Sequence, residues 1–91
     1  MLNVVSRDLN EKTRIIRERD YIPAVIYSNK LDKSIPIAVY KTDFTRLIDA
    51  GENTDVLELN LNGDIKKCLL KEVQIDGVKD GFIHIDFMLV D

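Results

Sequence analysis

Asn62-Gly63 is the feature that most limits what this chain can fold into. Both residue types tolerate positive φ, and a two-residue connection of that kind is the strongest short-range hairpin signal. Leu57, Leu59 and Leu61 alternate with Glu58 and Asn60 ahead of it, the pattern of a half-buried strand. A return strand is expected from Asp64 to Ile75. Alternation recurs over Leu2–Ser6, Ile22–Ser28, Ile35–Val39 and Phe82–Val90, so about six strands are expected in all.

Two polar stretches read as short helices. Asp8 and Glu11 stand at capping-box spacing ahead of a helix of two or three turns, with Leu9 and Ile16 on its buried side. Arg14 and Arg17 fall on a common exposed face, and Arg14 can reach Glu18 one turn on. Pro23 then forces Ile22 out of helical geometry and opens a strand. Thr42 is expected to cap the second helix, Phe44, Leu47 and Ile48 to form its apolar stripe, and Gly51 to stop it. Pro36 argues for an edge or the start of a strand. Loops are expected at Ser28–Lys33 and around Asp76-Gly77 and Asp80-Gly81. The expected class is α+β and mainly β, a largely antiparallel sheet with two or three short helices. A chain of 91 residues covers both faces of such a sheet most economically by curling it into a small barrel.

Composition narrows the function. Apolar content of 45% with 32% charged residues suits one folded domain over residues 1–91. No apolar run approaches the roughly 18–20 residues of a membrane span, and the N-terminus lacks a signal-peptide layout, so the expected location is the cytoplasm. Cys68 stands alone, which rules out an intramolecular disulfide and a cysteine zinc site, and reads as a small buried hydrophobe. One histidine, scattered carboxylates and singly placed glycines offer no metal set and no phosphate loop, and no serine sits in a strained elbow. Neither a cofactor nor an enzymatic activity is expected.

Charge is unevenly spread. Residues 1–30 hold 6 Lys+Arg against 4 Asp+Glu, whereas residues 31–91 hold 7 against 12. Lys12, Arg14, Arg17, Arg19 and Lys30 cluster about the Ile22–Tyr27 strand, as a polyanion-facing surface would require. On charge alone the same helix reads first as a solvated end whose arginines pair with Glu11, Glu18 and Asp20. In the last strand Ile83, Ile85, Phe87 and Leu89 share the core parity, and Phe82, His84, Asp86 and Met88 point outward. His84 and Asp86 are then neighbours, roughly 7 Å apart at Cα, a donor–acceptor pair suited to base edges or a plain solvated face. Tyr27, at a strand end, is either core with a wet hydroxyl or a platform on a binding face, while Tyr21 and Tyr40 read as packing residues.

Four motifs in order carry a resemblance: Arg14-Ile15-Ile16-Arg17, Ile22-Pro23-Ala24-Val25-Ile26-Tyr27, Lys71-Glu72-Val73-Gln74 and His84-Ile85-Asp86-Phe87. Together they resemble the bacterial large-subunit ribosomal protein twenty-five family, whose longer members are the general stress proteins called Ctc. Ala50-Gly51-Glu52-Asn53 is similar to those longer members. The resemblance implies a six-stranded barrel with short helices that binds 5S rRNA at an irregular internal loop, without turnover. It places Lys12, Thr13, Arg14, Arg17, Tyr27, Lys71, Gln74, His84 and Asp86 on the RNA, with the arginines on phosphates and His84 and Asp86 on base edges. Lys71 and Gln74 fall on opposite faces of a regular strand, so both reach RNA only across a bulge or bend. The implied partners are 5S rRNA and neighbouring ribosomal proteins, around a protein monomeric when free. The domain is either a short form or the N-terminal domain of a longer form.

The chain departs from that family at three places. Leu9-Asn10-Glu11-Lys12 stands where a Gly-Lys-Gly run is usual, Ile15 where a second arginine is, and Ser28-Asn29-Lys30 where glycines are frequent. Together with the acidic 31–91 segment, these departures support an alternative: a protein-interaction or stress-response module with the same barrel and weakened RNA binding. The barrel is similar also to the tRNA-contacting domain of glutaminyl-tRNA synthetase.

Overall fold

Eight elements follow one another along the chain in the computed structural model, which describes residues 2–8, 10, 12–29, 33–50, 56–78 and 81–90. They are β1 (Leu2–Ser6), α1 (Thr13–Glu18), β2 (Tyr21–Tyr27), β3 (Ile35–Tyr40), α2 (Lys41–Asp49), β4 (Leu57–Leu61), β5 (Asp64–Asp76) and β6 (Gly81–Leu89). The strands close into a barrel in the order β1-β3-β2-β6-β5-β4. Four seams are antiparallel, and two, β1 with β4 and β2 with β6, are parallel. Closure leaves no sheet edge, which removes the exposed row of unpaired backbone groups that an open sheet of this size would carry.

The interior is built from the inward parity of each strand. Leu2 and Val4, Ile22, Ala24 and Ile26, Ile37 and Val39, Leu57 and Leu59, Cys68, and Ile85 and Phe87 form one contiguous buried cluster. Phe44 of α2 joins it from outside the sheet and packs edge-on against Phe82, with ring centroids 5.3 Å apart. The expected hairpin is present, with Asn62 at φ 54° and Gly63 at φ 89°. Asn60 Nδ2 donates to Asn3 Oδ1 at 3.0 Å across the parallel β1–β4 seam, while Asn60 Oδ1 accepts the Gly63 N–H at 2.9 Å. One amide therefore ties the hairpin to the strand that closes the barrel.

Several local expectations are corrected. Helix α1 begins at Thr13 with Lys12 as its N-cap and no side-chain cap bond. Asp8 instead accepts the N–H of Asn10 at 2.9 Å, a local turn that competes with helix initiation. Likewise α2 starts at Lys41, directly after β3, with Tyr40 as N-cap; Thr42 does not cap it. The Lys41 N–H is satisfied from elsewhere, by the Asp20 carbonyl at 2.8 Å. Ile48 is exposed, so the buried stripe of α2 narrows to Phe44 with Leu47 packed against the core. Pro36 lies at the start of β3 in a sheet that has no edge. Leu9, Glu11, Lys30, Gly51, Glu52, Asn53 and Asp80, on which other expectations fell, lie outside the described residues.

Two irregularities in the β5–β6 seam shape the outer wall of the barrel. Leu70 pairs with Phe87 and Glu72 with Asp86, so Lys71 is an extra residue on β5. Gln74 pairs with His84 and Ile75 with Phe82, so Ile83 is an extra residue on β6. Each bulge reverses the inward–outward parity of the residues beyond it. Phe82 therefore packs on the core, against the expectation that it points out, and Ile83 does not join the core.

Candidate nucleic-acid interface

The outer wall formed by β5, β6 and β2 gathers the strand-borne candidates. His84 and Asp86 project from β6 on one face, and the His84 Nδ1 lies 3.0 Å from Asp86 Oδ1. Both side chains are 27% exposed, so they are held against the sheet while keeping access to solvent. A carboxylate can only accept, so the hydrogen of this contact resides on Nδ1. Nε2 of a neutral His84 is then left as an acceptor. Gln74 lies directly across from His84, and Glu72 across from Asp86. On the other side, Val25 pairs with Asp86, and Tyr27 with Met88.

The bulge at Lys71 resolves the conflict in strand parity. Without it, Lys71 and Gln74 would face opposite sides; with it, Lys71, Glu72 and Gln74 are all exposed while Leu70 and Val73 pack on the core. Tyr27 is half-buried and absent from the core cluster, so its ring lies on the outer wall at the far end of β2. Tyr21 and Tyr40 pack on each other, with centroids 5.4 Å apart.

Helix α1 supplies the cationic part. It packs against β2 through its buried Ile16, and the outward-facing cross-strand pair Pro23 and Ala38 is fully or nearly fully buried. With one face held, Arg14 and Arg17 project to solvent. Arg14 Nε lies 3.8 Å from Glu18 Oε1, as the one-turn spacing leads one to expect, at 73% and 66% side-chain exposure. So exposed a pair contributes at most about 1 kcal/mol and leaves the guanidinium free to exchange partners. Lys12 is exposed at the N-cap, and Thr13 is the first helical residue. Arg14 and Arg17 line an open groove of about 380 Å³ whose far side includes Phe82 and Ile83, the residues leading into His84.

Sequence reasoning missed Lys41, which lines this same groove. No local signal marks it, because it lies in an acidic segment and is brought to α1 only by the barrel's register. Cys68 is buried, and burial pushes its thiol up to about 11 against a smaller opposing pull from Lys66, so it is inert near neutral pH. Among the described residues no group of three or more His, Cys, Asp or Glu side chains could hold a metal ion. No helix among them is long and apolar enough to cross a membrane.

The family model described as the Ribosomal L25p family matches residues 2–87. A protein of Caldanaerobacter subterraneus subsp. tengcongensis named large ribosomal subunit protein bL25 is 31% identical over 90 residues, covering 98% of this chain and 45% of its own length. Its namesake in Halalkalibacterium halodurans is 36% identical over 80 residues, covering 87% of this chain and 37% of its own. A third, from Bacillus licheniformis, is 32% identical over 78 residues, covering 86% and 37%. The chain thus spans less than half the length of these curated relatives. With a family model matched from the first strand almost to the end of the last, the chain belongs to the Ribosomal L25p family.

Proposed function

We propose that this chain is a structural, non-catalytic component of the large ribosomal subunit in the cytoplasm, and that it binds 5S rRNA at an irregular internal loop. The observation that carries this reading is the juxtaposition of two unlike surfaces. The exposed arginines of α1 line a groove together with Phe82 and Ile83, and the next residues of β6 carry the His84–Asp86 pair. Guanidinium groups suit phosphate oxygens, and such contacts set affinity and register. The strand patch is chemically different. Asp86 and Glu72 would repel phosphates, so the groups meeting them are donors: base amino and imino groups and ribose hydroxyls. The wide, shallow groove of irregular RNA helices presents those donors within reach of side chains on a strand. In this reading His84 Nε2 accepts, Asp86 both orients His84 and accepts through its remaining oxygen, and Gln74 donates or accepts across from them. Lys12, Thr13 and Lys71 contribute to the backbone contacts and Tyr27 to the far margin of the site. The free protein is a monomer, and neighbouring ribosomal proteins are further partners.

A titration against a 5S rRNA internal-loop fragment and a plain RNA duplex of equal length tests the reading. Binding is expected to be salt-sensitive and tighter for the loop. Equal affinity for the two RNAs would refute specific recognition. A second reading, a protein-interaction module, is favoured by the tip of the β5–β6 hairpin, where Ile75 and the 94% exposed Val78 present apolar surface. Normal folding without binding to either RNA would support that alternative.

A further inference from the structure

The groove beside α1 contains more than the two arginines. Arg14, Arg17 and Glu18 form one wall, Tyr21, Ile22, Phe82 and Ile83 contribute apolar surface, and Lys41, Asp76 and Gly81 complete the lining. Lys41 is far from the arginines in sequence, yet three separate contacts hold its backbone beside them. Its N–H donates to the carbonyl of Asp20, just beyond α1, at 2.8 Å. Tyr40, the preceding residue, is paired with Tyr21 both in the sheet and through the rings. Phe44, one turn later in α2, is locked against Phe82 on the far side. The start of α2 is thus tied to the end of α1, to β2 and to β6 at once. Asp20 can close this corner because it adopts φ 64°, a left-handed turn that Asp tolerates better than most residues.

The groove brings three cations against two carboxylates in a molecule whose net charge is −3. One carboxylate, Glu18, is already shared with Arg14. The other, Asp76, accepts the N–H of Val78 at 2.9 Å within its own turn.

We propose that this groove is a second phosphate-binding subsite and that Lys41 contacts the RNA backbone there, opposite Arg14 and Arg17. The proposal rests on RNA binding at the His84–Asp86 face and adds to it a path. A strand whose base meets His84 continues past Ile83 and lays its next phosphates between α1 and the start of α2. The outward displacement of Ile83 at the bulge matters here, because its side chain lines the groove while Phe82 stays on the core.

The test compares the full chain with Lys41→Met, Lys41→Arg and the control Lys67→Met, whose lysine is exposed on β5 across from Glu58. Each is titrated with the loop fragment and the duplex over a range of salt, after circular dichroism confirms folding. Each neutralised phosphate contributes about 0.7–0.9 to the slope of log affinity against log salt. Lys41→Met is expected to lower that slope by about this amount for the loop fragment while keeping its loop-over-duplex preference. Lys41→Arg is expected to retain the slope, and Lys67→Met to leave it unchanged. An unchanged slope in Lys41→Met, with the unmodified chain binding normally, would overturn the subsite alone. An equal drop in Lys67→Met would overturn it too, by showing a general charge effect. Absence of binding by the unmodified chain would overturn the RNA reading and the subsite together. Inorganic phosphate is titrated separately by NMR. Saturation of the Lys41 amide shift at phosphate concentrations that leave the bound RNA undisplaced would reassign the groove to a free anion.

Discussion

At the residue scale, His84 and Asp86 are a coupled unit. Their 3.0 Å contact means that removing either side chain changes what the other presents. His84→Ala is expected to cost about 1–3 kcal/mol of discrimination between loop and duplex, with little change in duplex affinity. Comparing the two affinities in parallel titrations checks this. Cys68 offers a separate test. Its native thiol titrates at about 11, against an ordinary 9.0, so the native state holds that proton more tightly than the unfolded chain does. The resulting stabilisation is fully present below pH 9 and is lost as pH rises toward 11. Urea midpoints measured through this window should fall less steeply for Cys68→Ala than for the unmodified chain. The burial of Cys68 was legible from its place in a strand. The His84–Asp86 contact was legible only as a shared face, because strand periodicity fixes direction and not side-chain torsion.

At the element scale, the β5–β6 pairing shows where sequence periodicity stops informing. Alternation correctly identified both strands and the inward residues Ile85 and Phe87. It assigned Ile83 to the core and Phe82 to solvent, because a strict period of two has no place for a bulge. The two bulges fall on opposite strands of one seam, at Lys71 and at Ile83, and between them they frame the Glu72–Asp86 and Gln74–His84 pairs. Deleting Lys71 removes the extra residue and leaves Leu70, Glu72, Val73 and Gln74 in strict alternation, with Leu70 and Val73 inward, Gln74 outward and the pairing with β6 kept. The fold is therefore expected to persist with a urea midpoint close to that of the unmodified chain, and loop-fragment affinity to fall only by the loss of the Lys71 contact. Collapse of loop-fragment affinity in the deletion variant would show that the bulge itself, beyond the side chain of Lys71, shapes the binding face. The helices teach a related lesson. Asp8 and Thr42 have good capping chemistry, but the observed starts lie at Thr13 and Lys41, where tertiary contacts bring the chain into helical register.

At the scale of the whole molecule, one barrel provides both the core and the site. Phe44 is fully buried, although the helix that carries it lies outside the sheet. Phe44→Ala is expected to cost about 3–5 kcal/mol, most of the stability of a domain this small. Denaturant unfolding followed by circular dichroism reads that loss, and a much smaller one would mean that α2 is not required to cover the core. The chain by itself determined where strands run, where the Asn62-Gly63 turn falls, which residues share a face within a regular strand, and the arginine face of α1. These depend on backbone preference and side-chain alternation over a few residues, so a local stretch suffices to specify them. Only the tertiary structure decided the two parallel seams, the bulges and the meeting of Lys41 with Arg14 and Arg17. Each of those depends on pairing between distant segments, whose register is set by the burial that all six strands achieve together when the barrel closes.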